Sequence, residues 1–240
     1  MRKKLLSYPE AYRNNTKGYS RADALYALVL YALLMLLFWG LGLWFRLLGD
    51  SLTAEIVYLG EGLVSALLFA AVLILCRTRG QRAASLGLGR EQLLASIKGA
   101  CGVLTLVIAL VAIGFLLGAR LSCSFGHSLE RFLYYLILIA GTEEFFFRAY
   151  LGTRFYGAFG ARWWSIVIPA ILFSLLHIPF QAAFCGIPFG ECIGMVWGQL
   201  LFTFFFHIAM QWCYAREESL LVPVLIHAFW NFLPEVLFFS

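Results

Sequence analysis

Apolar residues run through this chain in long blocks broken by short clusters of charge, glycine or proline, at approximately 24–45, 54–76, 93–118, 128–154, 163–178, 192–213 and 220–238. Several blocks reach the roughly 20 residues that a helix needs to cross the hydrocarbon core of a bilayer. The pattern predicts an all-α fold, a polytopic transmembrane helical bundle of about seven spans. No internal repeat, low-complexity tract or long linker divides it, so residues 1–240 are expected to form a single membrane domain.

Composition sharpens that picture. Of the 240 residues, 62% are hydrophobic and 13% charged, and the mean hydropathy is +0.85, whereas a soluble domain carries roughly 25% charged residues. Seven spans put alternate loops on opposite sides, and Lys and Arg then divide unevenly. The side of the N-terminus takes six in residues 1–23, five from Arg77 to Lys98, three from Arg148 to Arg162, and Arg216, which is 15 of 18. Arg46, Arg120 and Arg131 fall on the other side. The positive-inside rule therefore predicts a cytoplasmic N-terminus and an external C-terminus. Anionic headgroups beside these loops account for the net charge of +5 without nucleic acid.

The first 23 residues read as a basic cytoplasmic tail (Arg2, Lys3, Lys4, Arg13, Lys17, Arg21). The apolar run after them is too long and too aromatic for a cleaved signal segment. Arg77 to Glu91 reads as a connector on the cytoplasmic surface, and the plasma membrane of a prokaryote is the expected home. The six cysteines (Cys76, Cys101, Cys123, Cys185, Cys192, Cys213) are scattered without metal-ligand spacing, so most are expected to pack as small apolar residues. A bridge between Cys185 and Cys192, near one loop, is compatible with their spacing.

Chemistry enters in the fourth block, at Thr142-Glu143-Glu144-Phe145-Phe146-Phe147-Arg148. An ionisable side chain at the bilayer centre costs ~2.5 to 3.5 kcal/mol on insertion scales, so three together read as functional. Glu144 and Arg148 are spaced to meet on one helix face as an ion pair, and Glu143 points roughly 100 degrees away from them. The bland reading is a polar knot locking two helices. Against it stand His177, deep in the fifth block, and His227 with Asn231, four apart in the last. Glu143 and His177 are equally distant from the Gly157-Ala158-Phe159-Gly160 turn, which sets them at one level. His227 follows Arg216-Glu217-Glu218 by about 15 Å of helix. The groups are therefore expected to converge in the cytoplasmic half of the membrane, around a cavity that opens to the cytoplasm.

A carboxylate screened by aromatics can take a proton from water, and a nearby His can orient that water. A second His and an Asn amide can donate to the oxyanion formed when water attacks a peptide carbonyl, a contact worth ~2.7 to 4 kcal/mol in hydrolases. The same set offers Glu143, His177 and His227 to a zinc ion with one position open for water. Other polar residues carry less. Ser174 is expected to be a packing hydroxyl, His207 a packing or hydrogen-bonding residue, and His127 a surface residue. Pro169 and Pro179 are expected to kink and end the fifth span.

The three motifs, EEFFFR at Glu143–Arg148, FSLLH at Phe173–His177 and HAFWN at His227–Asn231, resemble in kind and order the EExxxR, FxxxH and HxxxN pattern of the CPBP family, the CAAX-processing endopeptidases and bacteriocin-processing or self-immunity proteins. The resemblance covers roughly residues 128–235. It implies a catalytic core there, with Glu143 as the base that activates water, His177 helping to hold it, His227 and Asn231 binding the oxyanion, and Glu144 and Arg148 stabilising the site. Ala149 departs from the Gly that many members have after the Arg. The resemblance further implies a peptide or lipidated-protein substrate presented in the bilayer, no nucleic-acid partner, and a glutamate mechanism without a cofactor, zinc being the alternative. A rival reading is a non-catalytic immunity or peptide-binding protein of the same fold. A transporter would call for internal repeats with broken helix pairs, which the sequence lacks.

Overall fold

The computed structural model describes residues 8–122 and 124–239. Arg2, Lys3, Lys4 and Cys123 of the sequence reading lie outside them. The chain is an all-α bundle with one short antiparallel strand pair among the described residues. Its helices are α1 (Glu10–Thr16), α2 (Arg21–Leu48), α3 (Ala54–Thr78), α4 (Arg90–Ala95) and α5 (Ile97–Leu116), followed by a helical run from Phe125 to Phe159. Then come α9 (Trp164–Leu175), α10 (His177–Cys185), α11 (Phe189–Glu217) and α12 (Leu221–Val236), where α6, α7 and α8 are the α-helical parts of the long run given below. Strand β1 (Ala119–Leu121) pairs antiparallel with β2 (Leu237–Phe239).

Among the described residues five helical segments are long and apolar enough to span a bilayer: Arg21–Ser51, Ala54–Thr78, Ile97–Leu116, Trp164–Cys185 and Phe189–Glu217. Leu221–Val236 is a shorter apolar helix, and the Phe125–Phe159 run accounts for the remaining block. In α5 only Ala100 is buried, while Leu106, Ile108 and Ile113 are exposed. A helix apolar on every side with one buried residue is stable only where lipid replaces water.

Side-chain hydrogen bonds and close backbone approaches set the packing. The capping box at the start of α2, Ser20 with Asp23, satisfies two orphan ends. The other Asp23 oxygen accepts from Arg79 Nε at 3.0 Å and Gln81 Nε2 at 2.9 Å, tying the α3 end to α2. Tyr31 of α2 donates to the Leu172 carbonyl of α9 at 3.0 Å, and Thr142 donates to Ser65 of α3 at 2.9 Å. Along the α2–α10 contact the helices meet at Gly42, where a Cβ would lie 2.5 Å from the Phe180 carbonyl oxygen. Only glycine admits that approach.

Over its described part the N-terminal segment packs on the bundle, since α1 buries Tyr12 against Tyr156 and Tyr214. Several expectations are corrected. Arg148 and Arg154, counted among the loop cations, are fully buried in protein. Arg154 donates to Gln81 and Ser85, which docks the connector after α3 onto the bundle. Cys185 and Cys192 are both free thiols, the first exposed and the second buried. Pro179 does not end the fifth block. The helix breaks at Leu176, and Pro179 sits in the first turn of α10, where its missing N–H has no intrahelical partner to lose.

Candidate active site

The run that carries the EEFFFR motif is not a plain α-helix. It passes from α6 (Phe125–Tyr134) through a π-helical stretch, Tyr135–Gly141, into the short α7 (Thr142–Glu144), then through a second π stretch, Phe145–Gly152, into α8 (Thr153–Phe159). Both carboxylates sit in the single α turn between two wide turns. At Gly141 a Cβ would lie 2.9 Å from the Leu136 carbonyl oxygen, five residues back, so the small residue suits the wide turn. π-Helical turns of this kind concentrate at functional sites.

Glu144 and Arg148 are both fully buried, and Arg148 Nε lies 2.9 Å from Glu144 Oε2. The contact is one of charge more than of alignment, since no Arg148 N–H and not Oε2 itself has a hydrogen-bond partner among the described residues. The guanidinium stacks 4.2 Å from the centre of the Phe173 ring. Glu144 Oε1 lies 2.7 Å from His227 Nδ1, and His227 Nε2 lies 3.9 Å from Glu143 Oε2. His227 is thus held between the two carboxylates. On the far wall His177 Nδ1 lies 3.2 Å from both the Phe173 and Ser174 carbonyl oxygens, which can only accept. Nδ1 is therefore protonated, and Nε2 is left for the cavity.

Glu143, His177, His227 and Asn231 line one cavity of about 500 Å³. Where Nδ1 of His227 carries its proton, Glu144 Oε1 accepts from it, which leaves Nε2 of that ring facing Glu143. Carrying a proton, Nε2 donates to an oxyanion; without one, it accepts from water. Phe173 joins the parts, its ring packing on those of His177 at 5.5 Å, His207 at 5.3 Å and His227 at 6.4 Å. His207 is fully buried among aromatics with neither ring nitrogen hydrogen-bonded among the described residues. Ser174 donates to the Leu200 carbonyl at 2.5 Å and meets Thr203 at 3.0 Å, a packing hydroxyl between α9 and α11. His127 is exposed and 3.6 Å from Glu130.

The lining of the cavity reaches from Glu143 away from the end of the bundle where α1 packs. α8 packs on α1, so the helical run climbs away from the N-terminal end going back from Glu143 to Tyr135 and Tyr134. Gln181 lies beyond His177, Gln199 and Thr203 lie before His207, and Trp230 and Asn231 lie beyond His227, all on that same far side and all in the lining. The lining therefore extends towards the end where β1 and β2 pair.

Sequence reasoning passed over Tyr134, Tyr135, Gln181, Gln199 and Thr203 in the lining, because tyrosine, glutamine and threonine in an apolar run give no signal of which face they take. It also passed over Glu61, discussed below, where an ionisable residue within an apolar block was signal enough. Among the described residues no group of three or more His, Cys, Asp or Glu is arranged to hold a metal ion. Glu143, His177 and His227 share the cavity without forming a ligand set.

Residues 125–233 match the family described as type II CAAX prenyl endopeptidase Rce1-like. The match takes in a little under half of the chain. It contains all three motifs and every lining residue of the large cavity, while α1 to α5 lie outside it. The chain matches no curated protein and no solved structure. Five helices among the described residues are fit to cross a bilayer, which makes this an integral membrane protein, and its segment 125–233 is similar to an endopeptidase family.

Proposed function

We propose that the protein is an intramembrane endopeptidase in which Glu143 activates water. The observation that carries this reading is the single cavity where Glu143 and His177 Nε2 face His227 and Asn231. Water held between Glu143 and His177 gives a proton to the carboxylate as its oxygen bonds to the peptide carbonyl carbon. The carbonyl oxygen becomes an oxyanion that His227 Nε2–H and the Asn231 amide stabilise. Collapse breaks the C–N bond, the proton passes from Glu143 to the leaving nitrogen, and an acid and an amine result. Glu144 fixes the tautomer and tilt of His227, and Arg148 neutralises Glu144. The substrate is a membrane-associated peptide or prenylated precursor, reaching the site from the end opposite the N-terminus. No metal is needed for these steps.

The test is turnover of quenched fluorescent peptides, farnesylated CAAX sequences included, by wild type and Glu143→Gln with and without a strong chelator. The expected result is cleavage that survives the chelator and falls about 10²- to 10⁴-fold in the variant, the range of a general base. Loss of wild-type cleavage with chelator overturns the metal-free mechanism. Equal cleavage by both proteins overturns the role of Glu143, and no cleavage by either favours the non-catalytic reading.

A further inference from the structure

A third carboxylate reaches this site from outside the matched segment. Glu61 belongs to α3 and lines a second cavity of about 140 Å³, together with Phe38, Phe180, Glu143, His177 and Gln181. Glu143, His177 and Gln181 also line the large cavity, so the small one lies beside it as a side lobe, the two adjoining at these side chains. The Tyr134 hydroxyl lies near enough to the Glu61 carboxylate to interact with it. Oxygen Oε2, however, is buried and has no hydrogen-bond partner among the described residues. The nearby cation, Arg131, is committed to Glu235, Tyr58 and Tyr135.

A buried carboxylate oxygen without a donor is unfavourable until something supplies one. Within a membrane helix such a group is retained where a ligand or a partner uses it. The walls of the lobe narrow the choice. Phe38 and Phe180 offer ring faces along which an alkyl stem packs and over which a cation is attracted. At the end, Glu61 offers an acceptor for charged N–H donors. The lobe has room for a single long side chain.

We infer that the side lobe is a specificity pocket for a cationic side chain, a lysine or arginine beside the scissile bond, with Glu61 as its charge partner. The inference rests on reading the large cavity as a proteolytic site. Bound there, the cation completes the hydrogen bonding of Oε2, and its backbone is drawn to the junction where Glu143 and His177 meet the scissile carbonyl.

The experiment uses the full chain in detergent and matched peptides carrying lysine, norleucine or glutamate at each position flanking the cleaved bond. Turnover is measured for wild type, Glu61→Gln and Glu61→Lys, and binding of the same peptides is measured by fluorescence anisotropy in the Glu143→Gln background. Wild type is expected to prefer lysine over norleucine by about 10- to 100-fold, the worth of a hydrogen-bonded charge. Glu61→Gln brings that ratio close to one, and Glu61→Lys turns it towards glutamate. A wild type indifferent to the charge, or a Glu61→Gln variant that keeps the preference, overturns the inference. If no peptide is cleaved, the endopeptidase reading fails, and the binding ratios decide the role of Glu61 independently.

Discussion

Arg148 and Glu144 form a buried pair, 2.9 Å apart, with the same carboxylate holding His227 at 2.7 Å. Removing one partner of a buried pair strands the other charge, typically at a cost of about 3–5 kcal/mol. Arg148→Ala is therefore expected to lower the thermal midpoint in detergent strongly, and Glu144→Gln less, because the amide keeps a hydrogen bond to the ring. An Arg148→Ala protein as stable as wild type would mean that Glu144 is neutral. The motif spacing gave this pair away, since a four-residue interval in a helix is readable from sequence. Phe173 was readable only as part of a motif. Its position between Arg148 and three histidines comes from tertiary packing. Phe173→Leu, which keeps apolar bulk but no ring face, is expected to reduce turnover more than stability, and equal losses in both would make the ring a packing residue alone.

The helix carrying the carboxylates and the broken helix carrying His177 belong to a finer level than hydrophobic blocks resolve. Apolar periodicity marks a span but does not separate an α turn from a π turn, and so the stretches Tyr135–Gly141 and Phe145–Gly152 were invisible beforehand. The break at Leu176 was foreshadowed by Pro179, though the helix resumes where the sequence suggested a stop. Where backbones meet, substitution is decisive. Gly42→Leu is expected to push α2 from α10, with a loss of at least about 1–3 kcal/mol for overpacking, read as a lower midpoint of thermal unfolding. An unchanged midpoint would contradict the close α2–α10 contact.

Across the whole molecule, hydrophobic blocks were enough to foresee a helical membrane bundle, and the three motifs to foresee which helices meet around the large cavity. The cavity's direction was not foreseeable, because helix order fixes depth only once the packing of the Phe125–Phe159 run is known. With the N-terminus cytoplasmic, as the distribution of Lys and Arg predicts, the large cavity extends towards the outer side. In a cysteine-free background, a cysteine at Glu10 is expected to react with an impermeant thiol reagent only in inside-out vesicles, and one at Leu121 only in right-side-out vesicles. The reverse pattern would invert the topology and face the cavity inward.

The most direct test of the account is mass spectrometry of a cleaved peptide from wild type and Glu143→Gln incubated in ¹⁸O-water. The account predicts one ¹⁸O atom in the new carboxyl terminus with wild type and no product above background with the variant. An unlabelled product, or equal labelled product from both proteins, would contradict water activated by Glu143.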